Sequence, residues 1–243
     1  MPKSPLSGAV VLLFAIACGL SVANVYYAQP LLDAMAMTFS MDPATVGIVI
    51  SLTQVGYGVG LLLLVPLGDL LNRRYLIVCQ MLLSTCAVLL VALSSSSLWF
   101  LAGLLLTGLL AVVAQVLVAY AAHLAQPEQR GHVVGLVTSG IVVGLLLART
   151  VSGIMADLAG WRSVYLLSAG LTLLMALLLW RVLPAAEQPR TQGSYGQLLR
   201  SVFSLLREEK VLRDRAVLAL LTFAAGTVLW TPLVLPLSTP PLS

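Results

Sequence analysis

The chain has 243 residues, 60% of them hydrophobic and 9% charged, with a formal net charge of +4 and a mean hydropathy of +1.03. Soluble proteins carry about 25% charged residues, so a water-soluble globule is excluded. The basic residues lie between apolar runs rather than on one basic face, which excludes a nucleic-acid surface. Cys18, Cys79 and Cys86 all fall inside apolar runs. That odd set is expected to be buried packing residues, with neither a disulfide framework nor metal-ligand spacing.

Seven runs reach the ~20 residues a helix needs to cross a bilayer: 7–27, 44–66, 75–93, 98–123, 133–156, 163–183 and 216–237. Lys3 ahead of the first run, with Ala15-Ile16-Ala17 before Cys18, also fits a signal peptide, although the run stays apolar beyond Cys18. The basic residues set the expected orientation. Lys3, Arg73, Arg74 and Arg130, and the arginines and lysine from Arg181 to Arg215, fall on one side; the opposite loops hold Arg162 alone. By the positive-inside rule that rich side is cytoplasmic, with the N-terminus there and the end of a seventh span outside.

Between the second and third runs stands Val65-Pro66-Leu67-Gly68-Asp69-Leu70-Leu71-Asn72-Arg73-Arg74. Between the fifth and sixth, Asp157, Gly160 and Arg162 repeat the spacing of Asp69, Asn72 and Arg74, 88 positions on. Two like hinges point to a duplicated unit, the way many transporters are built. The one long polar segment, 184–214, follows the sixth run. Within it Leu198, Leu199, Val202, Phe203, Leu205 and Leu206 alternate with Arg200 and Arg207, a pattern for a basic amphipathic helix on the membrane face or for a solvated linker. The expected domains are therefore a six-helix bundle (1–183), a cytoplasmic central loop (184–214) and a seventh transmembrane helix with a short tail (215–243).

Residues 65–74 resemble the signature loop between helices 2 and 3 of the major facilitator superfamily, usually Gly-x-x-x-Asp-x-x-Gly-Arg-Arg. Asp69, Arg73 and Arg74 match; Val65 and Asn72 replace its glycines. Pro127-Glu128-Gln129-Arg130-Gly131 resembles the loop after helix 4, and Gly160-Trp161-Arg162 the start of helix 6. Ala23-Asn24-Val25-Tyr26-Tyr27-Ala28-Gln29-Pro30-Leu31-Leu32 is similar to the end of helix 1 in the sugar, nucleoside and drug efflux branch. The resemblance implies an all-α membrane protein: the six-helix N-terminal bundle of two inverted three-helix repeats, plus a seventh helix, apparently truncated from a twelve-helix plan. It also implies that Asp69, Arg73 and Arg74 gate the cytoplasmic side, Asp69 accepting from a helix N-terminus in a second bundle; plain topological anchoring is the alternative reading of the arginines. The fourth run lacks the arginine of many proton-coupled relatives, and the fifth lacks the proline of the antiport motif.

Polar residues at membrane depth are the candidate solute ligands. Arg149 lies about two-thirds across the fifth run, where an ionised arginine costs from about 3 to above 10 kcal/mol unless paired or hydrated. It is expected either to meet an anionic or hydroxylated solute, or to reach the interface or Asp157. Asn24, Gln29, Gln54, Tyr57 and Gln115 offer hydrogen bonds to a neutral, hydroxyl-rich solute, while Tyr26, Tyr27 and Tyr120 fit interfacial tyrosines. Gly140, Gly144 and Ala148, continued by Ser152 and Ala156, form a small-residue stripe for close helix packing. No catalytic set and no phosphate-cradling glycine loop with a lysine stands out, so an enzyme and ATP-driven transport are not expected, nor is a cofactor. The expected partners are the lipid bilayer of a bacterial inner membrane, a small organic solute and a proton. The rival expectation is a non-transporting membrane subunit that self-associates or holds a partner.

Overall fold

The computed structural model describes residues 7–184 and 194–237, with side chains given except at 43–46 and 226–237. Every regular element among them is helical, as the bilayer requires of segments that must satisfy their own backbone hydrogen bonds. The first span opens at Ser7, whose hydroxyl accepts from the Val10 N–H at 3.4 Å, and runs as α1 (Gly8–Tyr26). It does not end near residue 27. A single 3-10 turn at Gln29–Leu31 carries it into α2 (Leu32–Phe39). Pro30 sits in that turn because it has no N–H to give a regular ladder.

The second span is α3 (Pro43–Leu63), followed by the short α4 (Leu67–Leu70). Asn72 begins the third span, α5 (Arg73–Leu93): its side chain accepts from the Arg74 N–H at 3.0 Å. The residue that replaces the family's glycine therefore caps a helix. The fourth span is split into α6 (Ser97–Leu110) and α7 (Val113–Leu124). At the join the ladder tightens, Ala111 N–H reaching Gly108 O at 3.2 Å and Gln115 N–H reaching Val112 O at 2.9 Å. The fifth, α8 (Arg130–Ala159), starts three residues before the apolar run does and ends at Gly160. Gly160 has φ +80°, a conformation that suits a residue without Cβ, and α9 (Trp161–Val182) begins at once.

Among the described residues, six helical stretches are long and apolar enough to cross a membrane: Gly8–Phe39, Gly47–Leu70, Arg73–Leu93, Ser97–Leu124, Arg130–Ala159 and Trp161–Val182. Their most extensive pairings are α1 with α8, α5 with α9, and α3 with α6. A two-fold exchange of the first three spans with the last three maps the first of these pairs onto the third and the second onto itself. The inverted duplication is thus visible in the packing.

Glycines make the two exchanged crossings. A Cβ at Gly144 would lie 2.2 Å from Gly19 O, and one at Gly140 2.2 Å from Ala15 O. On the other side, a Cβ at Gly56 would lie 2.2 Å from Leu105 O, one at Gly60 2.3 Å from Leu109 O, and one at Gly108 2.0 Å from Thr53 O. Gly140 and Gly144 follow Gly56 and Gly60 by the same 84 positions. Without a hydrophobic force between spans, such backbone contact is what holds helices together in lipid. Ala148 and Ser152 continue the stripe and are buried.

The interior has two apolar clusters. One gathers Phe14, Ile77, Met81, Leu117, Tyr120, Val137 and Leu179 toward the end that carries Arg73. The other gathers Met35, Val88, Phe100, Leu104, Trp161 and Tyr165 toward the opposite end. Tyr27 and Tyr120, expected at the interface, are core residues at 6% and 0% exposure. Among the cysteines only Cys18 is buried; Cys79 and Cys86 are exposed, because their helix turns those positions outward.

Of the described residues, 194–237 form a separate compact unit. It contains α10 (Tyr195–Glu208), opened by a Ser194–Gln197 capping box, and α11 (Lys210–Leu237). Leu198, Leu199, Phe203 and Leu206 recur at helical spacing on α10, and Val202, Phe203, Leu205 and Leu206 are exposed. The run at 216–237 falls within α11, while the polar stretch 185–193 and the tail 238–243 lie outside the described residues.

Candidate functional site: a polar face at mid-depth

Two breaks in the helices prepare the site. The turn at Gln29–Leu31 interrupts the first span just after Tyr26, and the join at Ala111–Val112 interrupts the fourth just before Gln115. Tyr26 and Gln115 stand 89 positions apart, the same offset as the crossing glycines Gly19 and Gly108 on those two spans. They thus occupy matching places in the two repeats.

Around these positions the polar side chains converge. Gln115 Nε2 donates to Tyr57 Oη at 3.2 Å, joining α7 to α3. Arg149 Nη2 donates to Gln29 Oε1 at 3.1 Å, joining α8 to the break in the first span. Tyr26 lies within electrostatic range of Gln54, Tyr57 and Arg149, which places the two pairs in one neighbourhood. Each member is at least partly exposed. Four of the expected ligands, Gln54, Tyr57, Gln115 and Arg149, are therefore brought together from three helices.

Asn24 is the exception. It is 1% exposed, and its Oδ1 accepts from the Ser168 hydroxyl of α9. It faces the inner side of α1, away from the exposed group, which corrects its expected place among the solute ligands. The reason is angular: Asn24 and Tyr26 differ by two positions, about 200° around a helix. Tyr26, expected at the interface, and Gln29, expected among the polar groups at membrane depth, belong to the group. Their signal was the proline that follows, which breaks the helix beside them.

At the Arg73 end the motif residues bind within the bundle. Arg73 Nη2 lies 3.3 Å from Asp69 Oδ1; Arg73 is 9% exposed and the carboxylate 50%. Arg73 Nε also donates to Gly68 O at 3.0 Å, and the guanidinium lies 5.8 Å from the Tyr120 ring. It thereby ties α4 to α5 and α7. Arg74 donates to the Trp180 carbonyl, one of the last unpaired carbonyls of α9, and stacks over the Trp180 ring at 4.5 Å. At the far end Arg162 donates to Ala92 O at 3.1 Å and Ser94 O at 2.7 Å, at the close of α5. It stacks on Trp161 at 4.4 Å. Each of these antiparallel helices carries near its own start an arginine that caps the other's end, where the helix dipole favours a cation. The Asp-x-x-Asn/Gly-x-Arg repeat is the sequence trace of this exchange.

An inverted-repeat bundle with polar side chains gathered at mid-depth is the architecture of a membrane transporter of small solutes. A sequence profile of the Major Facilitator Superfamily matches residues 12–240, and the chain belongs to that family. It is 49% identical over its whole length to the uncharacterised transporter YgaY of Escherichia coli, spanning 61% of that protein. It is 30% identical to the inner membrane transport protein YnfM of Escherichia coli over 69% of the chain and 40% of that protein. The chain thus spans about three-fifths of the length of YgaY.

Among solved structures, a bacterial homologue of the human lysosomal transporter Spinster superposes with a TM-score of 0.61 at 16% identity, over 74% of this chain and 44% of that one. The xylose transporter XylE of Escherichia coli, inward open, gives 0.59 at 15% identity, over 83% and 56%. At these identities the likeness is one of fold.

Proposed function

We propose that the bundle forms one side of the pathway of a secondary-active exporter of small organic solutes, sugar-, nucleoside- or drug-like, working by proton antiport in a bacterial inner membrane. The observation that carries this reading is the polar group on a partly exposed face at mid-depth. Uncharged amides and phenols there suit reversible hydrogen bonding to a solute, and alternating access needs such a face to be open to water in turn from each side. The N-terminus is cytoplasmic on this reading, and the central connection at 184–214 lies on the same side. The motif Asp69, with its half-exposed carboxylate, is the group left to meet a partner bundle on the cytoplasmic side.

Export is tested in Escherichia coli cells that express the chain, loaded separately with ethidium, xylose, inosine and the organic anion fluorescein. Export predicts lower accumulation of at least one probe, restored by a protonophore and by Gln115→Leu with Tyr57→Phe. If the chain inserts and none of the four changes, export is wrong, and the non-transporting membrane subunit takes its place.

A further inference from the structure

The six polar side chains of the site come from both repeats, but they are not symmetric. Tyr26 and Gln115 occupy matching places. By contrast, the 84-position offset that relates Gly56 and Gly60 to Gly140 and Gly144 carries Arg149 back to Val65. The duplication explains the crossings; it does not explain Arg149. A residue that departs from the repeat, carries a full charge and stands at costly depth is there for a specific interaction.

Its surroundings give that interaction a sign. Arg149 is the only formally charged member of the group, which otherwise holds two phenols and three amides. The amide oxygen of Gln29 holds one Nη of the guanidinium and so orients its fork, while adding no charge of its own. The guanidinium is a planar set of N–H donors matched to the two oxygens of a carboxylate or phosphate. Tyr57 and Gln115 are held to each other across the gap between α3 and α7, and Gln54 and Tyr26 stand beside them. A solute that places an oxyanion on Arg149 would find hydrogen-bond donors and acceptors for its uncharged part on the remaining four.

We propose that the solute is an organic anion, its carboxylate or phosphate gripped by Arg149 and its neutral portion held by Tyr26, Gln54, Tyr57 and Gln115. This rests on reading the polar face as the solute site, and it selects among the solute types that reading allows. It turns a general polar site into one with a defined electrostatic preference.

The test uses the full chain reconstituted in lipid nanodiscs, with Cys18→Ala, Cys79→Ala and Cys86→Ala to remove the native thiols and Gln54→Cys as a reporter. Its labelling rate is measured with anionic sulfonatoethyl methanethiosulfonate and cationic trimethylammonioethyl methanethiosulfonate, each normalised to a small free thiol. The normalised anion-to-cation ratio is expected to fall about tenfold on Arg149→Gln, as loss of a nearby unit charge requires, and to stay near the starting value with Arg149→Lys. Gln115→Cys, on a different helix, should show the same change. If both reagents label freely but Arg149→Gln leaves the ratio unchanged at both positions, the anion preference is overturned while the water-facing site stands. If neither reagent labels either position, the site reading itself fails and the anion proposal falls with it.

Discussion

Arg162 and Arg74 are the residues whose removal the structure evaluates most directly. Arg162 makes two charge-assisted hydrogen bonds to carbonyls at the end of α5 and stacks on Trp161. Hydrogen bonds to a charged group contribute about 1.5–3 kcal/mol each, discounted here because Arg162 is only part-buried. Arg162→Ala should cost about 2 kcal/mol, read as a fall of about 4–8 °C in the thermal midpoint of the purified protein in detergent. Arg162→Lys should recover only part, since an ammonium cannot span both carbonyls in a plane. An unchanged midpoint for the alanine variant would show that the cap carries no weight. How legible such residues were depends on what fixes them. Arg149 stands out in a chain with 9% charged residues, because charge at membrane depth is rare whatever the fold. Its hydrogen-bond partner, Gln29, does not stand out, since 120 positions separate the two and only the tertiary crossing joins them. Asn24 was misplaced for the opposite reason: residue type marks it as polar, but which side of α1 it faces depends on where α9 lies.

At the scale of the helix, close contact makes a sharp prediction. Gly144→Ala and Gly56→Ala each force a methyl to within 2.2 Å of a backbone oxygen, which cannot yield as a side chain would. Each should destabilise by more than the ~1–3 kcal/mol typical of overpacking. Gly135 and Gly153 lie on α8 with nothing within 4 Å of the place a methyl would take; alanine there should be neutral or stabilise by up to ~1 kcal/mol. Thermal melting of the four variants separates the classes, and equal effects would refute the crossing geometry. Most spans were readable to within a few residues because hydropathy follows the bilayer. The extension of the first span to Phe39 was not, since Pro30 reads as a stop although the structure uses it as a bend. The Gly140 and Gly144 stripe could be read from spacing alone, and Gly56 and Gly60, at the same spacing, carried an equal signal. Neither names the helix it meets.

For the whole molecule, the fold fixes alternation: six successive crossings put the Asp69–Arg74 loop and the Arg162 turn on opposite sides of the membrane. The basic residues predict which side is which. Fusing a reporter that is active only outside the cytoplasm after Arg74 should yield no signal, and fusing it after Gly160 should yield a strong one. The reverse pattern would overturn the orientation. The pair α5 and α9, tied at both ends by crossed arginine caps, has a mechanical consequence. Sliding one helix lengthwise past the other would strain the Arg74 contact at one end and the Arg162 contact at the other. The pair therefore resists a piston stroke yet leaves rotation as a body unopposed, and a bundle built this way can tilt without changing its own length.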